Sequence, residues 1–396
     1  MKHLVCAVPS LLDAGWRITA IAENIEPNLP VEFLRLKPDR GWPLFSVSAL
    51  AGRLQRRVGD FRTKYPDAVI FGTPGLPYNA HMSAVQFLSH VWLREARKIP
   101  AMNLRERAGL LLSKIDDWRT AKDFNLNRTA IWLPVSESIA RELQKVVARP
   151  ERIKVLPNSY DQSRFNLETV DRLRSRKRAE LHFGSGDFVF AFLSQGHHRR
   201  KGFWVAVEAL AQLRAGNRSS TYNPQLLVIG GIPTTLSRLK KDLSHNVSDW
   251  PRWIRFTAMV SRPEESLAAA DAFLFPSFFE AFCLAEIEAA AMGLPLLLTA
   301  HHGSEMILRP GLNGLTISSE PTVLAKQLFE FLSGNSQLGS IDPLSLKPKN
   351  FRLSVGRALT RSEYNSALLQ LVEAVYEERV GAPGQPARPQ TIWNST

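Results

Sequence analysis

Short, mainly apolar runs alternate with longer helical stretches, and the series occurs twice along the chain. No other feature restricts the possible folds as much. The runs WRITAIAE, DAVIFGTPG, TAIWLPVS and RIKVLPNS mark the first half, and DFVFAFLSQ, QLLVIGG, RWIRFTAMV, DAFLFPS and LPLLLTA mark the second. Strands that read as continuous apolar runs are buried on both faces, which is the condition of a parallel sheet covered by helices. The helical stretches fall between them: Val47 to Tyr65, much of Asn79 to Lys122, ESIARELQKV with Ser136 as its cap, FWVAVEALAQL, the short EESLAAA, and a helix closed by Gly293. The expected fold class is α/β, with two Rossmann-like domains.

A length of 396 residues suits two domains of this type. The polar, basic stretch Tyr160 to Gly186 has few apolar anchors and is the expected boundary. This gives an N-terminal domain over 1–160, a C-terminal domain over 161–355 and a terminal helix over 356–380 that returns to the first domain. That helix carries apolar spacing at Leu368, Leu369, Val372 and Val375. The Pro- and Gly-rich tail 381–396 is expected to be disordered. A second proline-rich linker, with Pro27, Pro30 and Pro38, follows the first strand.

No apolar run approaches the length that crosses a bilayer, and MKHLVCAVPS makes a poor signal peptide, so the expected setting is cytoplasmic. Cys6 and Cys283 give neither a disulfide framework nor a metal spacing and read as small apolar packing. The net charge is +13, with basic stretches at Arg53 to Lys64, Arg94 to Lys122 and Arg172 to Arg178. No nucleic-acid module accompanies this charge. An anionic membrane surface or a phosphate-bearing ligand is the partner it suits, against a plain solvated basic face. Trp118 with Arg105, Arg107, Arg119 and Lys122 is a candidate contact for lipid or acceptor, against a solvated helix face.

The chemistry concentrates in the second half. The loop HHRRKG, the segment FPSFFE, a helix bearing Glu288, and HHGSE each follow a strand, and open parallel sheets bind ligands at the carboxyl ends of their strands. Arg200 and Lys201 offer fixed positive charge to phosphate oxygens, and Gly202 lets the backbone come close. The helix starting near Phe282, Cys283 and Leu284 points free N–H groups at an anion. Glu280 and Glu288 accept hydrogen bonds from hydroxyls. The residue types fit a sugar diphosphate. No Asp-x-Asp triplet offers a metal site, and no metal is expected. His197, His198, His301 and His302 stay open between loop and site roles, as do His81 and His90 in the first half.

The run FPSFFEAFCLAEIEAAAMGLP resembles the motif of glycosyltransferase family 4, the retaining enzymes of the two-domain GT-B fold: a Glu at 280, a second Glu at 288, a small-residue helix, then Gly293 and Pro295. RKG looks like that family's phosphate loop, VLPNSYD its hinge, and HHGSE and PGLNG, reaching Glu305 and Gly314, its next two turns. Within the family the chain is similar to bacterial lipopolysaccharide-core glucosyltransferases, on the grounds of its RKG loop, its TPGLP turn and its long basic helical region. Ala281 and Cys283 stand where the family carries Gly, Ser159 replaces the hinge Gly, and SQGHHRRKG lacks the usual Gly-Arg pair.

The resemblance implies that Arg200 and Lys201 neutralise the leaving diphosphate, that Glu280 holds the donor sugar, and that Glu288 holds the ribose. Phe282, Cys283, Leu284 and Glu305 complete the nucleotide-sugar site. It further implies front-face transfer of a hexose, from a nucleotide sugar such as a UDP-hexose, to a cell-envelope glycan or lipopolysaccharide-type glycolipid at the inner membrane face. No cofactor beyond the donor is expected. DAGWRITAIAE looks like the family's second strand, so its first strand and Gly loop are expected to be missing and the first fifteen residues to be a remnant of the first helix. A catalytically impaired binding protein and a sugar-nucleotide epimerase are the alternatives. A glycosidase-like hydrolase fits less well, because the carboxylates accompany a basic phosphate loop.

Overall fold

The computed structural model describes residues 2–25, 28–37, 43–77, 79–100, 102, 104–126, 129–216, 222–334, 356–380 and 390–393. The chain forms two compact units. One comprises Met1–Arg94, Ala101–Ser159 and Leu359–Thr396, and the other Glu95–Pro100 and Tyr160–Ala358.

In the first unit α1 (Lys2–Asp13) leads into β1 (Arg17–Ala22) and β2 (Glu32–Arg35). Then come α2 (Pro43–Lys64), β3 (Val69–Gly72), β4 (Met82–Val85), α3 (Ser89–Glu95), α4 (Leu104–Leu126), β5 (Ile131–Pro134) and α5 (Glu137–Gln144). Ser136 caps α5 by accepting from the Ile139 N–H at 3.3 Å. Alternation along β3 shows why its run is wholly apolar. Val69 and Phe71 pack beneath Leu4, Val8 and Leu11 of α1, while Ile70 joins Leu54, Val58 and Phe61 of α2 on the other face.

The second unit begins with α6 (Leu167–Glu180). It continues through β6 (Asp187–Leu193), α7 (Phe203–Gly216), β7 (Asn223–Ile229), α8 (Pro233–Asn246), β8 (Ile254–Thr257), α9 (Pro263–Leu267), β9 (Ala272–Phe275), α10 (Leu284–Ala291), β10 (Leu296–Leu298), β11 (Gly314–Thr316) and α11 (Pro321–Leu332). Its sheet is parallel in the order β11-β10-β9-β6-β7-β8. The chain then adds α12 (Arg361–Val380) and β12 (Gln390–Trp393) to the first unit. Leu368, Val372 and Val375 of α12 are buried with α1, and Leu369 is only partly so. The first sheet is parallel in the order β2-β1-β12-β3-β4-β5.

Several expectations change. The tail is not disordered throughout: TIW lies within β12, in the middle of the sheet, pairing β1 from Arg17 to Ala20 and β3 from Val69 to Phe71. The rest of the tail, with Pro27 and Pro38 of the proline linker, lies outside the described residues. β2 occupies part of that linker, and β4, from MSAV, interrupts a region read as helical. Neither is legible by composition, since β2 is a partly exposed edge strand and β4 has a single β-branched residue. RIKVLPNS makes a 3-10 turn at Pro150–Arg152 and then runs extended beside β5, with Lys154 N–H bonded to the Trp132 carbonyl at 2.9 Å. The basic stretch at the expected boundary is a helix, α6. Its Arg174 and Arg178 clasp the buried Asp271, Arg178 at 3.1 Å, so these cations serve internal pairing.

Two outcomes test this unit. Thr391→Pro removes a ladder donor and forces φ in a central strand, and should cost about 2 kcal/mol, or roughly 4–8 °C in the unfolding midpoint by circular dichroism. An unchanged midpoint would show that β12 is dispensable. His81 is buried, takes the Ile70 N–H on Nδ1 at 2.9 Å and lies 2.7 Å from the Arg379 guanidinium through Nε2. Burial first, then Arg379 and Arg62, depress its pKa to about 3. The unfolded chain therefore takes up a proton near pH 6.5 that the folded chain refuses until about 3. Stability is lost as pH falls through this window, at a limiting slope on the order of 1 kcal/mol per pH unit. His81→Gln should flatten that slope in chemical unfolding.

Candidate functional site

The carboxyl ends of β6, β9 and β10 carry the candidate residues. After β6 the chain turns tightly. His197 adopts φ 55° and Gly202 φ 78°, while the N–H groups of Lys201, Gly202 and Phe203 bond back to the carbonyls of His197, Arg199 and His198 at 2.9–3.0 Å. Gly202 is required: a Cβ there would stand 2.0 Å from the Pro276 carbonyl oxygen. The loop after β9 is joined to this turn by the Phe278 N–H, which donates to the Arg200 carbonyl at 2.9 Å, and by Arg200 Nη1, which donates to the Phe279 carbonyl at 2.8 Å.

This weld brings three predicted residues together. Glu280 Oε1 lies 3.4 Å from Arg200 Nη2 and 3.3 Å from Lys201 Nζ, and Lys201 Nζ stands 4.8 Å from the centre of the Phe275 ring. Burial alone would push Glu280 toward its neutral form, yet the charges of Lys201 and Arg200 hold its pKa below the ordinary carboxylate value. Burial likewise opposes the charge on Lys201, but the Glu280 carboxylate carries its pKa above the usual lysine value. Lys201 and Glu280 are therefore both ionised at neutral pH, and with the guanidinium of Arg200 the trio is net positive.

Phe282 and Cys283 are buried, and Cys283 occupies the N-cap of α10 without a side-chain cap hydrogen bond, with Leu284 the first helical residue. Burial raises the Cys283 pKa well above the ordinary thiol value, so its sulfur is a packing atom. Glu288 is half-buried on the second turn of α10, and its charge adds to the hydrogen bond to Glu264 that chiefly raises the pKa of Arg164. Glu305 is exposed in the turn Ser304–Met306. Gly303, at φ 87°, seats that turn against the Ala281 carbonyl, where a Cβ would come within 2.5 Å.

Glu286 escapes a sequence reading, and two of the histidines left open there, His301 and His198, are buried. Glu286, fully buried on α10, faces His301 Nε2 at 2.8 Å. His301 Nδ1 lies 3.2 Å from the Thr299 hydroxyl, which donates to the Ser277 carbonyl. Burial disfavours an imidazolium at His301, but Glu286, then Glu280 and Glu305, raise its pKa above the ordinary histidine value. The signal was present: a carboxylate among Ala and Ile of a small-residue helix needs a partner. Its distance in sequence hid which histidine that was. His198 is buried against Phe192 and Phe203, and burial together with Lys201 and His197 lowers its pKa to about 4. It is neutral at physiological pH. Among the described residues, no group of three or more His, Cys, Asp and Glu is placed to hold a metal ion.

Residues 187–333 match the family described as Glycosyl transferases group 1. The chain is 30% identical over 181 residues to a D-inositol 3-phosphate glycosyltransferase of Corynebacterium kroppenstedtii, covering 43% of this chain and 38% of the relative. It is 28% identical over 217 residues to WcaL of Salmonella typhimurium, named for colanic acid biosynthesis, covering 52% and 48%. The chain thus spans less than half the length of either relative. In fold it is similar to HepE of Anabaena, solved in complex with UDP-glucose, with a TM-score of 0.65, 13% identity and coverage of 94% and 95% of the two chains. The fold class is α/β with parallel sheets, that of the GT-B structures.

Removing one member of a buried ion pair leaves the other uncompensated, whereas apolar replacement of both is tolerated. Glu286→Leu alone should cost about 3 kcal/mol, and Glu286→Leu with His301→Leu should recover most of it in a thermodynamic cycle of urea unfolding. Additive losses would show that the two groups do not act as a pair.

Proposed function

We propose that the second unit binds a nucleoside diphosphate sugar, and that the chain transfers its hexose, with retention, to a cell-envelope glycan or glycolipid. The observation that carries the reading is the trio of Arg200, Lys201 and Glu280, fixed beside the N-terminus of α10. A diphosphate meets two charged donors and free helix N–H groups on a rigid frame. Cations already in place need no reorganisation when charge develops on a leaving group, which makes this an electrostatic catalyst. The names of the matched relatives support glycosyl transfer, and a UDP-glucose complex in a chain of like fold supports the donor class.

In this reading the bond between the anomeric carbon and the diphosphate oxygen breaks, and the acceptor oxygen bonds to the same face of that carbon. The acceptor proton passes to the departing phosphate oxygen. Arg200 and Lys201 take up the negative charge that the diphosphate gains. Glu280 orients both cations and faces the sugar hydroxyls, Glu288 receives the ribose hydroxyls, and Phe282 to Leu284, with Glu305, line the phosphate and sugar end. Backbone N–H groups remain at Ala281 and Cys283, so the side chains there narrow the site without removing its donors. The acceptor class places the reaction at the inner face of the membrane.

Calorimetric titration with UDP and UDP-hexoses tests the reading. The parent chain should bind, Lys201→Ala should bind tenfold to a hundredfold more weakly (about 1.5–3 kcal/mol for a hydrogen bond to a charged group), and Glu288→Ala about tenfold more weakly. A parent chain that binds neither UDP nor any UDP-hexose would overturn the donor class. One that binds them but transfers no sugar would favour a binding role.

A further inference from the structure

Glu286 and His301 are sealed beneath the candidate site, and the hydrogen bonds around them lead up to its charges. Thr299, the first residue past β10, gives its hydroxyl proton to the Ser277 carbonyl. Having one proton to give, it accepts at its 3.2 Å contact with His301, so His301 Nδ1 carries a proton. Nε2 stands 2.8 Å from Oε1 of the Glu286 carboxylate, which only accepts. Both ring nitrogens therefore donate, and His301 is an imidazolium. The ring packs edge-on to Phe275, with centres 6.3 Å apart, and the His301 carbonyl accepts the Ser304 hydroxyl at 2.7 Å.

Ser277 passes the connection on. Its hydroxyl lies 3.3 Å from the carbonyls of Arg200 and Phe279, and the Phe279 carbonyl also accepts Arg200 Nη1 at 2.8 Å. The next residue is Glu280, 3.4 Å from Arg200 Nη2 and 3.3 Å from Lys201 Nζ. Burial opposes the Glu280 charge, and Lys201, Arg200 and then His301 hold its carboxyl below the ordinary range. The ionisable groups that act on His301 are Glu286 of α10, Glu280 of the loop after β9 and Glu305 of its own turn, all acidic, with Lys201 and Cys283 bordering Glu280. A plain apolar contact would pack α10 on the end of β10 without burying any charge, so stability alone does not account for the pair.

We propose that His301, backed by Glu286, is a positioning residue for the nucleoside diphosphate sugar: through Thr299 and Ser277 it holds Glu280 and Arg200 in the arrangement that receives the diphosphate and the sugar hydroxyls. This role rests on the nucleotide-sugar reading above and adds to it two residues outside the phosphate loop. The imidazolium acts twice. Its Nδ1 proton fixes which way the Thr299 hydroxyl points, and so keeps the Ser277 carbonyl engaged. Its charge adds to those of Lys201 and Arg200 in keeping the Glu280 carboxylate ionised. Glu286 supplies the counter-charge without which an imidazolium would not stay buried. The side chains of His301 and Glu286 are 1% and 0% exposed, so neither meets the ligand, and their effect travels through held geometry.

The test is calorimetric titration of the full chain with UDP-glucose, beside urea unfolding of the same samples. Glu286→Leu with His301→Leu should keep most of the parent stability yet bind UDP-glucose about tenfold more weakly, because no group then reaches the Thr299 hydroxyl. A purely structural pair would return parent affinity together with parent stability. Thr299→Val leaves the pair in place and cuts its link to Ser277, so it should also weaken binding about tenfold, and Thr299→Ser should restore it. These two variants decide the matter even if the double variant fails to fold. The pH profile supplies a further readout. The pKa of His301 is raised above 6.5, so parent affinity should fall as pH climbs past that value, and the double variant should lack the fall. Lys201, raised above 10.5, and Glu280, held below 4.5, keep their charges through that range. Parent affinity in both the double variant and Thr299→Val, or a fall with pH that persists in the double variant, overturns the positioning role and leaves the nucleotide-sugar reading standing. A parent chain that binds no UDP-glucose overturns both.

Discussion

Arg200 joins two loops that come from strands of the second unit separated by some eighty residues of sequence. Its carbonyl accepts from Phe278, its side chain donates to Phe279, and both it and Lys201 face the Glu280 carboxylate. The phosphate site proposed for the unit depends on this junction. Without it the Arg and Lys would be flexible surface cations, each losing rotamer entropy on meeting a ligand. With it they are held before any ligand arrives. Gly202 is the condition for the closeness, because any side chain there would meet the Pro276 carbonyl.

Beneath this junction lies a second layer of charge. Glu286 and His301 are sealed from solvent, and the Thr299 hydroxyl ties His301 to the carbonyl of Ser277 in the loop that leads to Glu280. A buried pair of this kind adds little net stability but fixes which arrangement of loops is acceptable, since every other arrangement leaves a charge unpaired. The half-buried Glu288 stands half a turn further along the same helix as Glu286, so one short segment supplies both a buried structural carboxylate and an accessible one.

The first unit distributes its polarity differently. α4 (Leu104–Leu126) turns Asp123 and Arg119 to the Gly75 turn and buries Phe124, yet leaves Leu104, Leu111 and Trp118 exposed. Apolar residues are spread around the helix rather than sorted to one face, so periodicity alone reads the segment as an ordinary basic helix. The Arg172 to Arg178 stretch misleads in the opposite sense. In sequence it resembles a basic face awaiting a partner, yet Arg174 and Arg178 are paired to Asp271 inside the unit. β12 makes a related point. Three apolar or β-branched residues in a polar tail carry little local signal, and only the strands on either side of them make a place for it.

The sequence by itself determined the α/β class, the strands whose residues are apolar on both faces, and the residue types of the candidate site: Arg200, Lys201, Gly202, Glu280 and the start of α10. These are legible because burial on two faces writes itself into consecutive residues, and because a phosphate demands cations and close backbone wherever it binds. The tertiary structure decided what meets what. It paired Glu280 with both cations, gave Glu286 its partner in His301, left Leu104, Leu111 and Trp118 of α4 exposed and set β12 between β1 and β3. Each of these depends on residues far apart in sequence. A local pattern records how deeply a side chain is buried, but carries no information about which distant group it faces once it is there.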